Sequence, residues 1–204
     1  MIRLFIQYVI LITLVSFLLC VWILRPRRSK MTAAVLMTLY TVTALLLTVL
    51  RSQNIPGGNT ILMPLGLYYR LVTAKKMTLF LRLILAGELA GNVVLLVPPG
   101  LMLSQRVPER RGAALSLAVG FLCSLCIECW QYVTALGTFE VDDLIHNTWG
   151  ALIGYSVGRA LTQYREGAPM RQLVSTLCPL IVFVVLLGTC VTVSLLRWMM
   201  YRGT

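Results

Sequence analysis

The sequence contains few charged residues, and acidic residues are the scarcest of them. Charged residues make up 12% of the 204 residues, and only seven residues are Asp or Glu, whereas hydrophobic residues make up 58%. Soluble domains average about 25% charged residues, so this chain lacks the polar surface of a water-facing domain. The composition excludes a soluble enzyme, and the apolar content excludes intrinsic disorder. An integral membrane protein remains.

Signals for metal and cofactor binding are also scarce. The sequence has one histidine and no Walker A, HExxH, GxSxG or strand-associated GxGxxG motif. Cys123, Cys126 and Cys129 follow a CxxCxxC spacing, but on a helix they point in different directions, so we interpret them as packing residues. We therefore expect no cofactor. The alternative is a divalent cation held by Asp142, Asp143 and His146.

Long apolar runs account for most of the chain. A helix needs about 20 apolar residues to cross the hydrocarbon core of a bilayer. Six segments approach this length, namely 4–24, 31–50, 80–103, 112–135, 144–162 and 172–196. Pro98 and Pro99 are expected to kink or end the third helix, because proline removes a backbone donor. The sequence predicts an all-α transmembrane bundle of five to six spans.

The connection 51–79 is the only long one between these runs. Its apolar stretch 60–69 is too short to span a membrane and contains Pro64 and Gly66. We predict a segment that dips into the outer interface or lies along it, with Tyr68 and Tyr69 at headgroup level.

Lysine and arginine residues in the loops predict the orientation. With six spans, ten of them fall on one side and seven on the other. Cytoplasmic loops carry the excess of basic residues, so the side with ten is assigned to the cytoplasm. Both termini lie on the side with seven and are therefore predicted to be extracytoplasmic. The net charge of +11 then reflects topology and contact with anionic lipids, and we expect no nucleic acid partner.

The few acidic residues are concentrated in one part of the sequence, because four of the seven lie between residues 128 and 143. A carboxylate in a membrane segment costs about 2.5–3.5 kcal/mol on insertion scales, so it normally faces the bundle interior. Helical spacing places Glu128 with Gln131, and Asp143 with Asn147. We predict one ligand-binding polar cluster near the outer end of a helix pair, formed by Asn92, Glu128, Gln131, Asp142, Asp143 and Asn147. The alternative is that these residues only hold helices together.

Three glycines follow one another at intervals of four residues in the fifth run. Gly150, Gly154 and Gly158 form two successive small-xxx-small steps. This spacing is typical of a helix that lets a neighbour approach closely, and we predict a packing face there.

Residues 127–154 carry a family resemblance. They combine E-x-x-Q, a short loop and D-D-x-x-x-N-x-x-G-x-x-x-G, and this order resembles the signature of VanZ-like membrane proteins. Residues 92–100 are similar to the family's N-x-x-x-F-x-P-x-G element, and residues 59–64 resemble its first loop motif more loosely. The resemblance covers about residues 33–162.

The resemblance implies a multi-helix bundle with a role in the bacterial cell envelope. The domain organisation we expect is an extra N-terminal span with a basic stop (1–30), a VanZ-like core (31–165) and a C-terminal span with a short tail (166–204). The family takes its name from a protein associated with low-level teicoplanin resistance, so the expected function is a contribution to glycopeptide resistance in the plasma membrane. The expected ligand is a lipid headgroup, a lipid-linked cell-wall precursor or the drug itself.

Two alternatives to this function remain from the residues. One is an intramembrane enzyme acting on a lipid-linked phosphate or glycan, with Glu128 as general acid or base and Asp142 and Asp143 holding a cation. The other is a transporter, which would need a polar path across the whole bilayer, whereas the polar residues gather on one side.

Overall fold

The computed structural model of the protein describes residues 2–23, scattered positions between 32 and 44, and residues 60–73, 77–107, 109–135 and 137–202. The described positions between 32 and 44 are helical. The described helices are α1 (Ile2–Ile23), α2 (Gly66–Thr73), α3 (Leu79–Ser104), α4 (Glu109–Val133), α5 (Val141–Arg165), α6 (Met170–Thr176) and α7 (Cys178–Arg202). Strands β1 (Thr60–Ile61) and β2 (Phe139–Glu140) pair in parallel. The all-α class is confirmed, with this short strand pair in addition.

Three of the described helices are long and apolar enough to cross a membrane. They contain the spans Leu79–Ser104, Arg111–Val133 and Cys178–Met200, and a shorter apolar stretch, Leu11–Ile23, lies in α1. The predicted fifth span is a helix of 25 residues, α5, but it falls outside this group because polar residues occur along much of its length. The predicted second span lies largely outside the described residues. The described part of the chain therefore supports a membrane bundle without confirming six spans.

The last apolar run starts later than predicted. The predicted segment 172–196 is divided, because α6 ends at Thr176 and α7 begins at Cys178. Pro179 lies in the first turn of α7, where its missing N–H costs no helical hydrogen bond. The predicted segment 172–196 therefore combined the end of the short helix α6 with most of the spanning helix α7.

The third span continues through both prolines to Ser104, close to the predicted end of the apolar run at residue 103, so Pro98 and Pro99 do not end this helix. Pro99 cannot donate to the carbonyl of Leu95, four residues earlier. The hydroxyl of Tyr40 donates to this carbonyl instead, at 2.7 Å, and also lies 2.8 Å from the Ser16 hydroxyl. Side chains of neighbouring helices thus satisfy a backbone group that proline frees inside an apolar environment.

The glycines of α5 lie against the backbone of α3. A Cβ atom on Gly150 would lie 1.9 Å from the Val93 carbonyl oxygen, and one on Gly154 would lie 2.0 Å from the Val97 carbonyl oxygen. A Cβ on Gly158 would meet the Ser104 side chain at 1.9 Å. Later residues of α5 meet later residues of α3, so the two helices run parallel, and their backbones are nearly in contact.

Helix α4 also packs against α5 and runs in the opposite direction to it. The Ser116 hydroxyl donates to the Ala151 carbonyl at 2.8 Å, and the Asn147 amide donates to the Ser124 hydroxyl at 3.0 Å. Later residues of α4 therefore meet earlier residues of α5. This arrangement brings the C-terminal end of α4 to the N-terminal end of α5.

The segment 60–73 is held against this end of the bundle. Strand β1 pairs with β2, and α2 packs on α3 and α7. Arg82, which is 2% exposed, donates to the Leu71 carbonyl at 3.0 Å and to the Ser194 hydroxyl at 2.5 Å. Tyr68 is buried within the protein at 8% exposure, whereas Tyr69 is 59% exposed.

Candidate functional site

Asp142 joins the segment 60–73 to the first turn of α5. Its carboxylate is buried and accepts hydrogen bonds from the backbone N–H groups of Leu65, at 2.5 Å, and Leu67, at 2.8 Å. Leu65 has a φ of 59°, which a side chain other than glycine rarely adopts, and this bond helps to hold it there. Because Leu67 lies in the first turn of α2, the carboxylate also interacts favourably with the positive end of that helix.

Glu128 holds the connection between α4 and α5. Its side chain is 1% exposed, and its Oε2 accepts a hydrogen bond of 2.9 Å from the backbone N–H of Glu140. Glu140 is the residue that precedes α5, and Asp142 and Asp143 lie in the first turn of that helix. All these carboxylates are therefore near the positive end of the α5 dipole, which favours negative charge.

A hydrogen-bonded chain of side chains crosses from α3 to α4 through α5. The Asn92 amide donates to Oδ1 of Asp143. The Asn147 amide donates to Ser124, whose hydroxyl lies 3.4 Å from the backbone carbonyl of Asp143. At about 1.5 Å per residue, Asn92 is roughly 20 Å along α3 from Leu79, so its amide lies well inside that helix, whereas Asp143 lies in the first turn of α5. We call this set, together with the two buried carboxylates of Glu128 and Asp142 at its edge, the polar layer. It comprises Asn92, Ser124, Glu128, Asp142, Asp143 and Asn147.

Tyr68 and His146 form a buried pair beside the polar layer. The Tyr68 hydroxyl lies 3.0 Å from Nε2 of His146, and the ring centroids are 5.4 Å apart. Burial raises the pKa of Tyr68 to about 12, with the charges of Cys190 and Asp142 adding to the effect. The hydroxyl therefore keeps its proton at physiological pH, and the pair connects α2 to α5.

Two atoms of the polar region lack a hydrogen-bond partner among the described residues. They are Nδ1 of His146 and Oδ1 of Asn147, and both side chains are 2% exposed. A buried polar group without a partner costs about 1–3 kcal/mol, so such groups call for a water molecule or a ligand.

The predicted cluster residues do not all meet. Asn92 contacts Asp143, and Asn147 contacts Ser124 next to Asp143, whereas Glu128 and Asp142 each bind the backbone of a connecting segment. Gln131 is partly buried, and within the described residues no hydrogen bond joins its side chain to the polar layer. The structure therefore contains a hydrogen-bonded layer of polar side chains, and the carboxylates of Glu128 and Asp142 lie at its edge and hold connecting segments.

The expected alternative of a divalent cation finds no support in this geometry. Both oxygens of Asp142 accept backbone N–H bonds, and His146 turns Nε2 toward Tyr68. The described residues contain no group of three His, Cys, Asp or Glu side chains that could hold a metal ion. Cys123, Cys126 and Cys129 are exposed on α4, so they are not packed inside the described protein as predicted.

Sequence reasoning missed Ser124 and the burial of Tyr68. Ser124 belongs to a stripe on α4 in which small or polar residues recur every four positions, at Gly112, Ser116, Gly120, Ser124 and Glu128. This spacing places all five on one face of a helix and was a detectable signal. The contact between Tyr68 and His146 joins residues 78 positions apart, and no local pattern reports it.

Apolar helices long enough to cross a bilayer, with a polar layer buried between them, define a helical integral membrane protein. The family model for VanZ/LLP1 matches residues 5–162, which is most of the chain. The chain belongs to this family. The matched region includes every residue of the polar layer and ends before α6 and α7. No curated protein and no solved structure matches the chain.

Proposed function

We propose that this protein contributes to teicoplanin-type glycopeptide resistance by binding a ligand at the polar layer. The ligand is the headgroup of an envelope lipid, a lipid-linked cell-wall precursor or the drug. Membership of the VanZ/LLP1 family supports the link to glycopeptides. In this proposal the protein lies in a bacterial plasma membrane, with the polar layer toward the outer side and both termini extracytoplasmic.

The observation that carries the proposal is the unpartnered Asn147 Oδ1 inside the polar layer. This atom is a hydrogen-bond acceptor, and the carboxylates of Asp143 and Glu128 are acceptors as well. A ligand that complements them carries several donors, such as the hydroxyl groups of a sugar or an ammonium group. These groups are found on glycans, lipid headgroups and glycopeptide antibiotics.

The segment 60–73 forms one wall beside this layer. Asp142 fixes its turn, and the pair of Tyr68 and His146 fixes its helix. Leu62, Met63 and Leu65 of the same segment are 50–65% exposed, and these apolar side chains suit contact with lipid. A ligand with an apolar tail and a donor-rich head matches both features.

The enzymatic alternative has less support than binding. A general base or a metal ligand needs an oxygen that faces the substrate. Both oxygens of Asp142 are bonded to the backbone, and Glu128 uses Oε2 to hold the start of α5. We therefore assign Asp142 to positioning the site, whereas Glu128 positions the start of α5 through Oε2 and adds negative charge beside the layer.

Lipid analysis of purified protein tests the binding proposal. Wild-type protein and Glu128→Gln are purified in mild detergent, and copurifying lipids and precursors are quantified by mass spectrometry. The amide oxygen of Gln can still accept the Glu140 N–H bond, so the fold is kept while the charge is removed. Glu166→Gln, an exposed residue at the other end of α5, is the matched control.

The expected result is one headgroup class that is enriched with the wild type and with Glu166→Gln and is depleted with Glu128→Gln. Identical profiles for all three proteins would contradict binding at the polar layer.

A further inference from the structure

His146 is the single histidine of the chain, and its imidazole is buried beside the polar layer without a role in the proposed function. The side chain is 2% exposed. Nε2 lies 3.0 Å from the Tyr68 hydroxyl, whereas Nδ1 has no hydrogen-bond partner among the described residues. Within the same part of the chain, Nε2 is the one hydrogen-bond partner of the Tyr68 hydroxyl.

This pairing determines which imidazole nitrogen carries the proton. Burial raises the pKa of Tyr68 to about 12, so its hydroxyl keeps its proton and, being buried, needs an acceptor. Nε2 accepts only when it carries no proton, which leaves the proton of the neutral ring on Nδ1. Neither the opposite tautomer nor the imidazolium offers Tyr68 an acceptor. His146 therefore presents an Nδ1–H donor that lacks an acceptor among the described residues.

The second atom of this region without a partner belongs to the next residue. Asn147 Oδ1 is an acceptor, and its side chain is also 2% exposed. At about 100° per residue, Asp143 falls between His146 and Asn147 around α5. Asn92 of α3 donates to Asp143 at this place. One ligand at the N-terminal turns of α5 therefore meets a donor and an acceptor on the two sides of a carboxylate.

The donor and the acceptor together distinguish between headgroup classes that the proposed function leaves open. An ammonium group has donors only, so it leaves Nδ1–H without an acceptor. A phosphate has acceptors, but its negative charge is repelled by the carboxylates of Asp142 and Asp143 in the first turn of α5. A sugar hydroxyl is uncharged and both donates and accepts, so it matches both atoms.

We propose that His146 makes the polar layer specific for an uncharged, hydroxyl-rich headgroup, which is the sugar of a glycolipid. Nδ1–H donates to one hydroxyl oxygen of the sugar, and another hydroxyl donates to Asn147 Oδ1. Tyr68 is a positioning residue, because it fixes the tautomer of His146 from α2. This inference rests on the proposed function and narrows its ligand to one class.

Nitrogen NMR of the full-length protein in mild detergent tests the tautomer, since protein labelled with ¹⁵N-histidine contains a single imidazole. We expect a protonated Nδ1 and an unprotonated Nε2 in the wild type. Tyr68→Phe should lose this fixed tautomer. Tyr69→Phe removes an exposed hydroxyl from the neighbouring residue and should leave the spectrum unchanged. A protonated Nε2 in the wild type, in the neutral ring or the cation, would overturn the inference.

Native mass spectrometry tests the ligand class with three lipids that differ in headgroup. Glucosyl diacylglycerol carries a sugar, phosphatidic acid carries a phosphate, and octadecylamine carries an ammonium group. We expect the wild type and Tyr69→Phe to bind the glucosyl lipid most tightly. His146→Gln keeps an amide oxygen for the Tyr68 bond but places no donor at the position of Nδ1. It should bind this lipid about fivefold more weakly, which is the effect of one hydrogen bond between neutral groups.

The outcomes separate this inference from the proposed function. Weaker binding of the glucosyl lipid by Glu128→Gln but not by His146→Gln would refute the role of His146 and leave binding at the polar layer intact. Tighter binding of phosphatidic acid or octadecylamine by the wild type would refute the sugar headgroup alone. Failure of the wild type to bind the glucosyl lipid would leave water as the partner of Nδ1 and would contradict the inference, whereas the copurified lipids decide the proposed function separately.

Discussion

Asp142 illustrates how a carboxylate tolerates burial in this protein. Two backbone N–H groups, of Leu65 and Leu67, donate to its carboxylate in place of water, and the positive end of α2 also favours its charge. Hydrogen bonds to a charged group contribute about 1.5–3 kcal/mol, more than those between neutral groups. One of the three side chains that the sequence offered as alternative cation ligands therefore holds a turn in place.

Replacing Asp142 should loosen that turn. Asp142→Asn removes the charge and leaves one amide oxygen to accept where two carboxylate oxygens did, at a cost of about 1–3 kcal/mol to the closed turn. We expect faster hydrogen exchange in a peptide covering residues 60–73 and unchanged exchange in α7. Glu166→Gln is the control, and equal protection of 60–73 in both variants would show that Asp142 does not hold the segment.

At the scale of the elements, the parallel contact of α3 and α5 organises the site. Gly150 and Gly154 let the backbones approach, and this approach brings Asn92 to Asp143. Close approach through small residues is a common way for membrane helices to pack, since no hydrophobic force drives them together within lipid. The geometry of the polar layer therefore depends on glycines that carry no polar group.

A methyl group at this contact should be costly. Gly154→Ala places a Cβ 2.0 Å from the Val97 carbonyl oxygen, so the helices must separate, and overpacking typically costs about 1–3 kcal/mol. Gly188→Ala in α7 has no atom within 4 Å of its new Cβ and is the matched control. Thermal unfolding in detergent should show a lower midpoint for the first variant and an unchanged or higher one for the second. Equal midpoints would contradict the close contact.

Local patterns in the sequence report some of these elements and miss others. The apolar runs predicted α3, α4 and α7, because length and hydropathy are properties of one segment. The sequence left open whether Pro98 and Pro99 end α3, because the Tyr40 hydroxyl that replaces the lost donor comes from 55 residues away. The hydrogen bond between Asp142 and Leu67 joins residues 75 positions apart, so no local sequence pattern predicts it either.

For the whole molecule, the membrane environment gives the polar layer its significance. Few carboxylates are present, and Glu128, Asp142 and Asp143 gather where α4 ends and α5 begins. A buried polar layer is costly in an apolar bundle, and hydrogen bonds offset this cost. Among the described residues, Oδ1 of Asn147 in the layer and Nδ1 of the neighbouring His146 are buried without a partner. A ligand with donor groups would complete the layer.

The most direct test of this account is teicoplanin protection in a susceptible host. Cells express the wild type, the double variant Glu128→Gln with Asp143→Asn, or Glu166→Gln, and membrane levels are matched by immunoblot. Both amide replacements keep an oxygen that can accept the bonds of Glu140 and Asn92, so charge is the property that changes. The account predicts that the double variant falls to the inhibitory concentration of the empty-vector strain while Glu166→Gln protects fully. Full protection by the double variant would contradict it.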